Sequence, residues 1–281
     1  MEKLQAAIEK ARSQRDGAVA PPPEVRPSNR EAPTTPVSRP TARKADWEAL
    51  TEIQFNGKHL HRKRITTYDN GTDSAPYDML RTRMLQQARH NGWRRIAIVS
   101  PHSDCGKSTT AANLAFSLSR QQELYSMVLD LDMRRAGLTK IMGQQSPFGM
   151  AEVLQREAKF SDQARRYGNN VAFGLNSGSK VKTPSEILQS GLTSEVLDEI
   201  TETYAPDIML FDMPPLMASD DNFGFLQNVD CALILVAAEK TSMSQIDIAE
   251  RNVAELTNVM GIILNKCRYA QGAYGHEYDY Y

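Results

Sequence analysis

Five apolar stretches, RIAIVS (95–100), SMVLDL (126–131), IMLFD (208–212), CALILV (231–236) and VMGIIL (259–264), are hydrophobic without alternation and are separated by stretches of helical pattern. A strand that is apolar at every position is buried on both faces, and strands linked through helices pair in parallel by right-handed crossovers. This pattern constrains the chain to an α/β fold of three layers, a mostly parallel central sheet between helices. VAFGL (171–175) is a weaker sixth strand, and no internal repeat is visible. With 281 residues, 41% of them hydrophobic, the chain can bury one sizeable α/β core with appendages, or two small domains.

The flanks read differently. Residues 3–15 place Leu4, Ala7, Ile8 and Ala11 on one helical face, so residues 1–16 are expected to form a short amphipathic helix that needs a partner surface. Residues 17–46 hold half of the fourteen prolines among Ser, Thr and Arg, and are expected to be a disordered linker. The basic run GKHLHRKR (57–64) reads as a solvated charged face or a binding patch. A helix is expected from Ala75 through YDMLRTRMLQQARHNG, with Pro76 at its start and Asn91-Gly92 at its end. Residues 47–268 then make the folded domain, and residues 269–281 a flexible tail.

Charge and cysteine content narrow the function classes. A formal net charge of −1 gives no global pull toward nucleic acid or an anionic membrane. Three cysteines, Cys105, Cys231 and Cys267, have no metal-ligand spacing and are odd in number, which favours a reducing cytoplasm. The opening MEKLQAAIEKARSQR is too charged for a signal peptide, and CALILVAA (231–238) falls far short of the ~20 residues of a membrane helix. The expectation is a soluble cytoplasmic protein with no membrane span of its own.

The first strand runs directly into SPHSDCGKSTTAANLAFSLSR, a loop that ends in Gly-Lys-Ser and opens a helix. Gly106 lets the backbone approach phosphates, Lys107 places a cation between the β- and γ-phosphates, Ser108 offers its hydroxyl to Mg²⁺, and the helix N-terminus adds its amides. This is a P-loop for ATP and Mg²⁺, with Pro101 where the usual pattern has its first glycine. Asp104, Cys105, Gly106, Lys107, Ser108 and Thr109 form the expected nucleotide-binding run. The second strand ends VLDLDMRR, and period two sends Asp130 and Asp132 to one side at the carboxyl edge, where open parallel sheets bind ligands. Such carboxylates hold Mg²⁺ or accept a proton from an attacking hydroxyl, unless they pair with Arg134 or Arg135 as plain salt bridges. Asp212, ending LFDMPP, stands at the usual Walker B place, and Asn265, ending IILNK, serves either a nucleotide base or a strand-end turn.

CGKSTTAANLA, the Asp-x-Asp-x-Arg of LDLDMRR, DMPP, TPSEILQS (183–190) and a terminal tyrosine cluster together resemble the bacterial tyrosine kinases (BY-kinases) of capsule and exopolysaccharide synthesis, in their soluble form. The similarity runs from about Tyr77 to the C-terminus. It implies ATP-dependent autophosphorylation of the tail, with Walker A on Lys107 and Ser108, a second Asp motif on Asp130 and Asp132, and Walker B on Asp212; these four, Lys107, Asp130, Asp132 and Asp212, are the implied catalytic residues, and Ser108 joins the three aspartates around the metal. The resemblance also implies a membrane-bound polysaccharide co-polymerase or chain-length regulator as a separate partner. Two departures stand out. The family's Glu-x-x-Arg-x-x-Arg, used for ring assembly, aligns with Ala75, Asp78 and Arg81, so only one position matches and the homo-oligomer expected from the family lacks most of that motif. Related Min- and Par-type ATPases carry a signature Lys where this chain has His102.

Half of the ten tyrosines, Tyr269, Tyr274, Tyr278, Tyr280 and Tyr281, fall in the last thirteen residues, among Gly, Gln, Glu and Asp. A tail leaving the P-loop edge of a parallel sheet spans up to roughly 50 Å at ~3.3 Å per residue, enough to reach its own site or a neighbour's. The tyrosines are expected to be phosphoacceptors, with packing on a partner as the other reading. Three functions therefore stand: a protein-tyrosine autokinase regulating polysaccharide polymerisation or export, a nucleotide-gated scaffold ATPase, and a Min- or Par-like positioning ATPase.

Overall fold

The structure, a computed structural model, describes residues 40–69, 71–144 and 146–267. The amphipathic segment at 3–15 and the five tail tyrosines lie outside the described residues. Eight strands form one sheet in the order β1-β4-β5-β3-β6-β2-β7-β8. Six strands are the sequence-predicted ones: the central β2 (Arg95–Val99), β3 (Ser126–Asp130), β5 (Val171–Gly174), β6 (Ile208–Asp212) and β7 (Cys231–Ala237), and the edge strand β8 (Asn258–Asn265). Two short strands escape the sequence pattern, β1 (Thr51–Glu52) and β4 (Arg165–Tyr167). All pairings are parallel except β4 with β5.

Alternate residues of each central strand enter two separate apolar layers. Ile96, Ile98, Val128, Leu210, Leu233 and Leu235 face one cluster, with α2 (Gly57–Arg62), α3 (Ala75–Asn91), α4 (Lys107–Ser119) and α5 (Gly137–Met142). Ala97, Val99, Met127, Leu129, Met209 and Phe211 face the other, with α1 (Pro40–Glu48), α6 (Met150–Leu154), α7 (Phe160–Gln163), α8 (Pro184–Gln189), α9 (Gly191–Tyr204), α10 (Asp221–Phe225) and α11 (Met243–Leu256). Burial on both faces is why β2, β3, β5, β6 and β7 carry no polar alternation; for β8 the expectation needs correction, because it is an edge strand that leaves Ile262 and Leu264 exposed.

Helix α3 begins and ends as its sequence signals dictate, with Pro in its first turn and Gly92 at φ +71° closing it. The linker expectation for 17–46 needs correction at its end, because residues 40–46 are helical within α1. Two side chains explain this. Trp47 is fully buried and donates from Nε1 to Tyr204 O at 2.8 Å, and Arg43 donates to Asp207 Oδ2 at 2.6 Å while stacking on the Tyr125 ring. Composition registered the prolines; the anchoring comes from partners far along the chain.

Candidate active site

The three middle strands, β3, β6 and β2, bring their carboxyl ends together. Asp130 and Asp212 are directly opposite in the β3–β6 register, and Asp212 is opposite Ile98 of β2, one residue before that strand's end. From β2 the chain turns through Ser100–Gly106 into α4. Gly106 takes φ +100°, a left-handed conformation that turns the loop into the helix, and an added Cβ there would collide with the Asn265 side chain. Lys107, only 7% exposed, donates from Nζ to Ser100 Oγ at 2.8 Å, and Ser100 Oγ donates to His102 O at 2.7 Å. Burial lowers the pKa of Lys107, and the charges of Asp212 and Asp132 work against that.

Both carboxylates at the strand tips are fully buried. Asp130 Oδ2 accepts from the Thr139 backbone N–H at 2.9 Å and from its hydroxyl at 2.7 Å, while Asp130 Oδ1 and both oxygens of Asp212 have no hydrogen-bond partner. Ser108 and the Leu138 amide face Asp212 and favour its charge without making a hydrogen bond of normal geometry. Burial raises the pKa of Asp130, and the neighbouring Asp212 raises it further; burial raises Asp212 against the pull of Lys107. Orphaned buried carboxylate oxygens beside a P-loop serine are the chemistry a hard cation needs, since Mg²⁺ takes one or two carboxylates and completes its shell with phosphate and water. Among the described residues no cluster of three or more His, Cys, Asp or Glu forms an all-protein metal cage, as this arrangement requires. Gly137 shapes the same cradle: a Cβ there would strike Ser108 Oγ and stand 3.9 Å from Asp212 Oδ2.

The structure brings Lys107, Ser108, Asp130, Asp132 and Asp212 together, with one change of route. Strand β3 ends at Asp130, so Asp132 is placed by a turn and not by strand alternation; its Oδ1 accepts from the Arg135 N–H at 3.0 Å. The salt-bridge alternative for these aspartates does not form with Arg134, which instead grips Asp221 through two nitrogens at 2.8 and 3.0 Å. Burial alone would raise the pKa of Asp221, but hydrogen bonds from Arg134, Ser185 and Ser219 hold it below the usual range. Through this cluster the loop after β3, the segment after β6 and the TPSEILQS helix α8 are joined beside the site. Asn265 donates from Nδ2 to Cys105 O at 2.9 Å, and its Oδ1 accepts from the Lys266 N–H at 2.8 Å. Its amide thus braces the P-loop and turns the strand end. Cys105 is buried against His102, Asp104 is an exposed loop tip at φ +63°, and Thr109 lends its carbonyl to Asn113. His102 Nε2 and Thr241 Oγ1 share a hydrogen bond of 2.9 Å. Ser100, Gly137 and Thr139 were invisible in the sequence, because nothing local marks a residue whose role is set by what the fold lays against it.

The model of the CbiA family, described as the CobQ/CobB/MinD/ParA nucleotide binding domain, matches residues 96–277. The chain belongs to this family. Within it, the chain is 26% identical over 228 residues to the tyrosine-protein kinase YwqD of Bacillus subtilis (strain 168), covering 80% of this chain and 93% of that protein. It is 26% identical over 229 residues to the putative tyrosine-protein kinase AmsA of Erwinia amylovora, covering 79% of this chain but only 31% of that longer protein. The fold is that of the kinase domain of Escherichia coli tyrosine kinase ETK, at a TM-score of 0.66 and 20% identity, over 76% of this chain and 84% of that one. As a member of the CobQ/CobB/MinD/ParA nucleotide binding domain family, the chain carries a P-loop nucleotide-binding fold.

Proposed function

We propose that this chain is an ATP-dependent protein-tyrosine kinase that phosphorylates its own C-terminal tyrosines and serves capsule or exopolysaccharide assembly beside a membrane-bound chain-length regulator, on the cytoplasmic face. The observation that carries the reading is the pair of buried carboxylates, Asp130 with one unpartnered oxygen and Asp212 with two, at adjacent strand tips beneath a P-loop whose lysine is already aimed inward. The names of its relatives supply the reaction class.

The P-loop amides and Lys107 would hold the β- and γ-phosphates of ATP, and Ser108, Asp130 and Asp212 would hold Mg²⁺. Bound Mg²⁺ neutralises charge that builds on the phosphate oxygens as the γ-phosphoryl group transfers. Asp132, at 6% exposure the one carboxylate of the three that reaches solvent, accepts the phenol proton, the phenol oxygen bonds to the γ-phosphorus, and ADP departs with the bridging oxygen. A free phenol has a pKa near ~10, so at neutral pH the proton needs such an acceptor. Intact mass spectrometry after incubation with Mg-ATP tests this: the mass should rise in steps of one phosphate, and Lys107→Met should remain at the starting mass. Nucleotide hydrolysis with no mass step in the native chain would make it a nucleotide-gated scaffold instead. The Min- or Par-like alternative gains nothing from His102, whose ring is tied to Thr241 within its own chain.

A further inference from the structure

Helix α2 and the turn after it present four adjacent cations, Lys58, Arg62, Lys63 and Arg64, all exposed. Among the described residues none of the four has a carboxylate within ion-pair distance, whereas Arg43, Arg95, Arg134, Arg156 and Arg166 each hold one. His61, between them, is occupied by Asp69. Four like charges within residues 58–64 of the helix and its exit repel one another, which costs a few tenths of a kcal/mol per neighbouring pair.

The backbone beneath them is fixed. Leu60 is fully buried, Asn56 caps the helix by accepting from the His59 N–H at 3.2 Å, His59 Nε2 meets Ile141 O at 3.0 Å, and Arg64 O accepts from Asn113 Nδ2 at 3.1 Å. The cations therefore stand on a rigid support that no local anion neutralises.

The same sequence ends in HEYDYY, which carries Glu277 and Asp279 around Tyr278 and Tyr280. In an extended segment, residues two apart point the same way about 6.6 Å from each other. Lys58 and Arg62 are four apart on a helix, which puts their Cβ atoms about 5–6 Å apart on one face. Two phosphates on Tyr278 and Tyr280 would add roughly 3 to 4 negative charges at that spacing.

We propose that the α2 face is a docking site for the phosphorylated C-terminal tail of this chain, Lys58 and Arg62 meeting the phosphates of Tyr278 and Tyr280. This rests on the reading that the tail is a phosphoacceptor. The compact patch, about 9 Å of helix, matches a short phosphopeptide in size and not the broad plane of a membrane.

Fluorescence anisotropy with the full chain and a labelled synthetic peptide of residues 268–281 tests the site, and since the peptide is phosphorylated chemically the result does not depend on kinase activity. The peptide carrying phosphates on Tyr278 and Tyr280 should bind at least about tenfold more tightly than the unphosphorylated one. Lys58→Gln with Arg62→Gln and Lys63→Gln should erase that difference, and Lys58→Arg with Lys63→Arg should keep it; circular dichroism checks that each variant is folded. Equal binding of both peptides, or a preference that survives the triple glutamine variant, overturns the proposal. So does binding of this face to phosphatidylcholine vesicles with about a third phosphatidylserine in place of the phosphopeptide, which would make it a lipid contact.

Discussion

Asp212 is the residue on which stability and function pull apart. Its folded pKa is raised above the ordinary value of 3.8 by burial, so between that value and the folded one the native state holds a proton the unfolded chain has lost. Stability therefore falls as pH rises through this interval, the opposite of a salt-bridged carboxylate. Asp212→Asn should raise the thermal midpoint at neutral to mildly alkaline pH by about 2–8 °C and flatten its pH dependence, while abolishing phosphate transfer. A midpoint that drops, measured by scanning calorimetry from pH 5 to 8.5, would show that the carboxylate is satisfied in a way the geometry does not reveal. Gly137→Ala makes a second test. Ala is the better helix former by about 1 kcal/mol, so the fold should hold, but the added methyl displaces Ser108 and Mg-dependent ATP affinity should fall about tenfold or more by isothermal titration calorimetry. Lys107 and Ser108 are legible in the sequence because they open a helix after a local Gly-Lys-Ser loop, and Asp212 because it ends an apolar strand. Gly137 is not, since its role is a distance to Ser108, far away along the chain.

At the scale of elements, what the sequence conveys depends on length. The fully apolar strands of five residues or more stand out, while β1 and β4, with two and three residues, are too short to show a period. The sequence reads residues 40–46 of helix α1 as linker because a composition of Pro, Ser, Thr and Arg offers little apolar area to bury, whereas the helix's stability is tertiary: Trp47 stacks edge-on with Tyr125 and Tyr204, at 4.9 and 6.4 Å between ring centroids. Trp47→Ala should destabilise the protein by about 3–5 kcal/mol in urea titration, without changing nucleotide affinity in the folded state. A loss under about 1 kcal/mol would mean α1 is not part of the cooperative unit. The helix α3 expected to assemble rings uses its charges internally. Arg81 donates to Ser117 O at 2.9 Å, and Asp78 receives both Ser117 and Arg120, so this network fastens α3 to α4. The missing ring motif is thus matched by an inward-turned substitute.

For the whole molecule, the sheet order puts the nucleotide site at its centre and the root of the tail one strand beyond β7 at the same carboxyl edge. Replacing Tyr269, Tyr274, Tyr278, Tyr280 and Tyr281 together with Phe should remove most phosphate incorporation by intact mass and leave ATP binding unchanged. Phosphate persisting on Tyr68 or Tyr77 would move the acceptor onto the core; burial already raises the pKa of Tyr77 and makes its phenol a reluctant nucleophile. Adding the cytoplasmic segment of a chain-length regulator from the same cell should quicken autophosphorylation by bringing tails and sites together. A rate indifferent both to that segment and to protein concentration would remove the partner from the scheme.

The hydrogen bond from Asn265 Nδ2 to Cys105 O also makes the molecule a lever. The last residue of the sheet is latched to the loop that grips phosphate, and the tail begins within three residues of that latch. On the proposed reading of the tail as phosphoacceptor, a pull on it would reach Cys105 and Gly106 through this single bond, which would link holding a tail to holding a nucleotide.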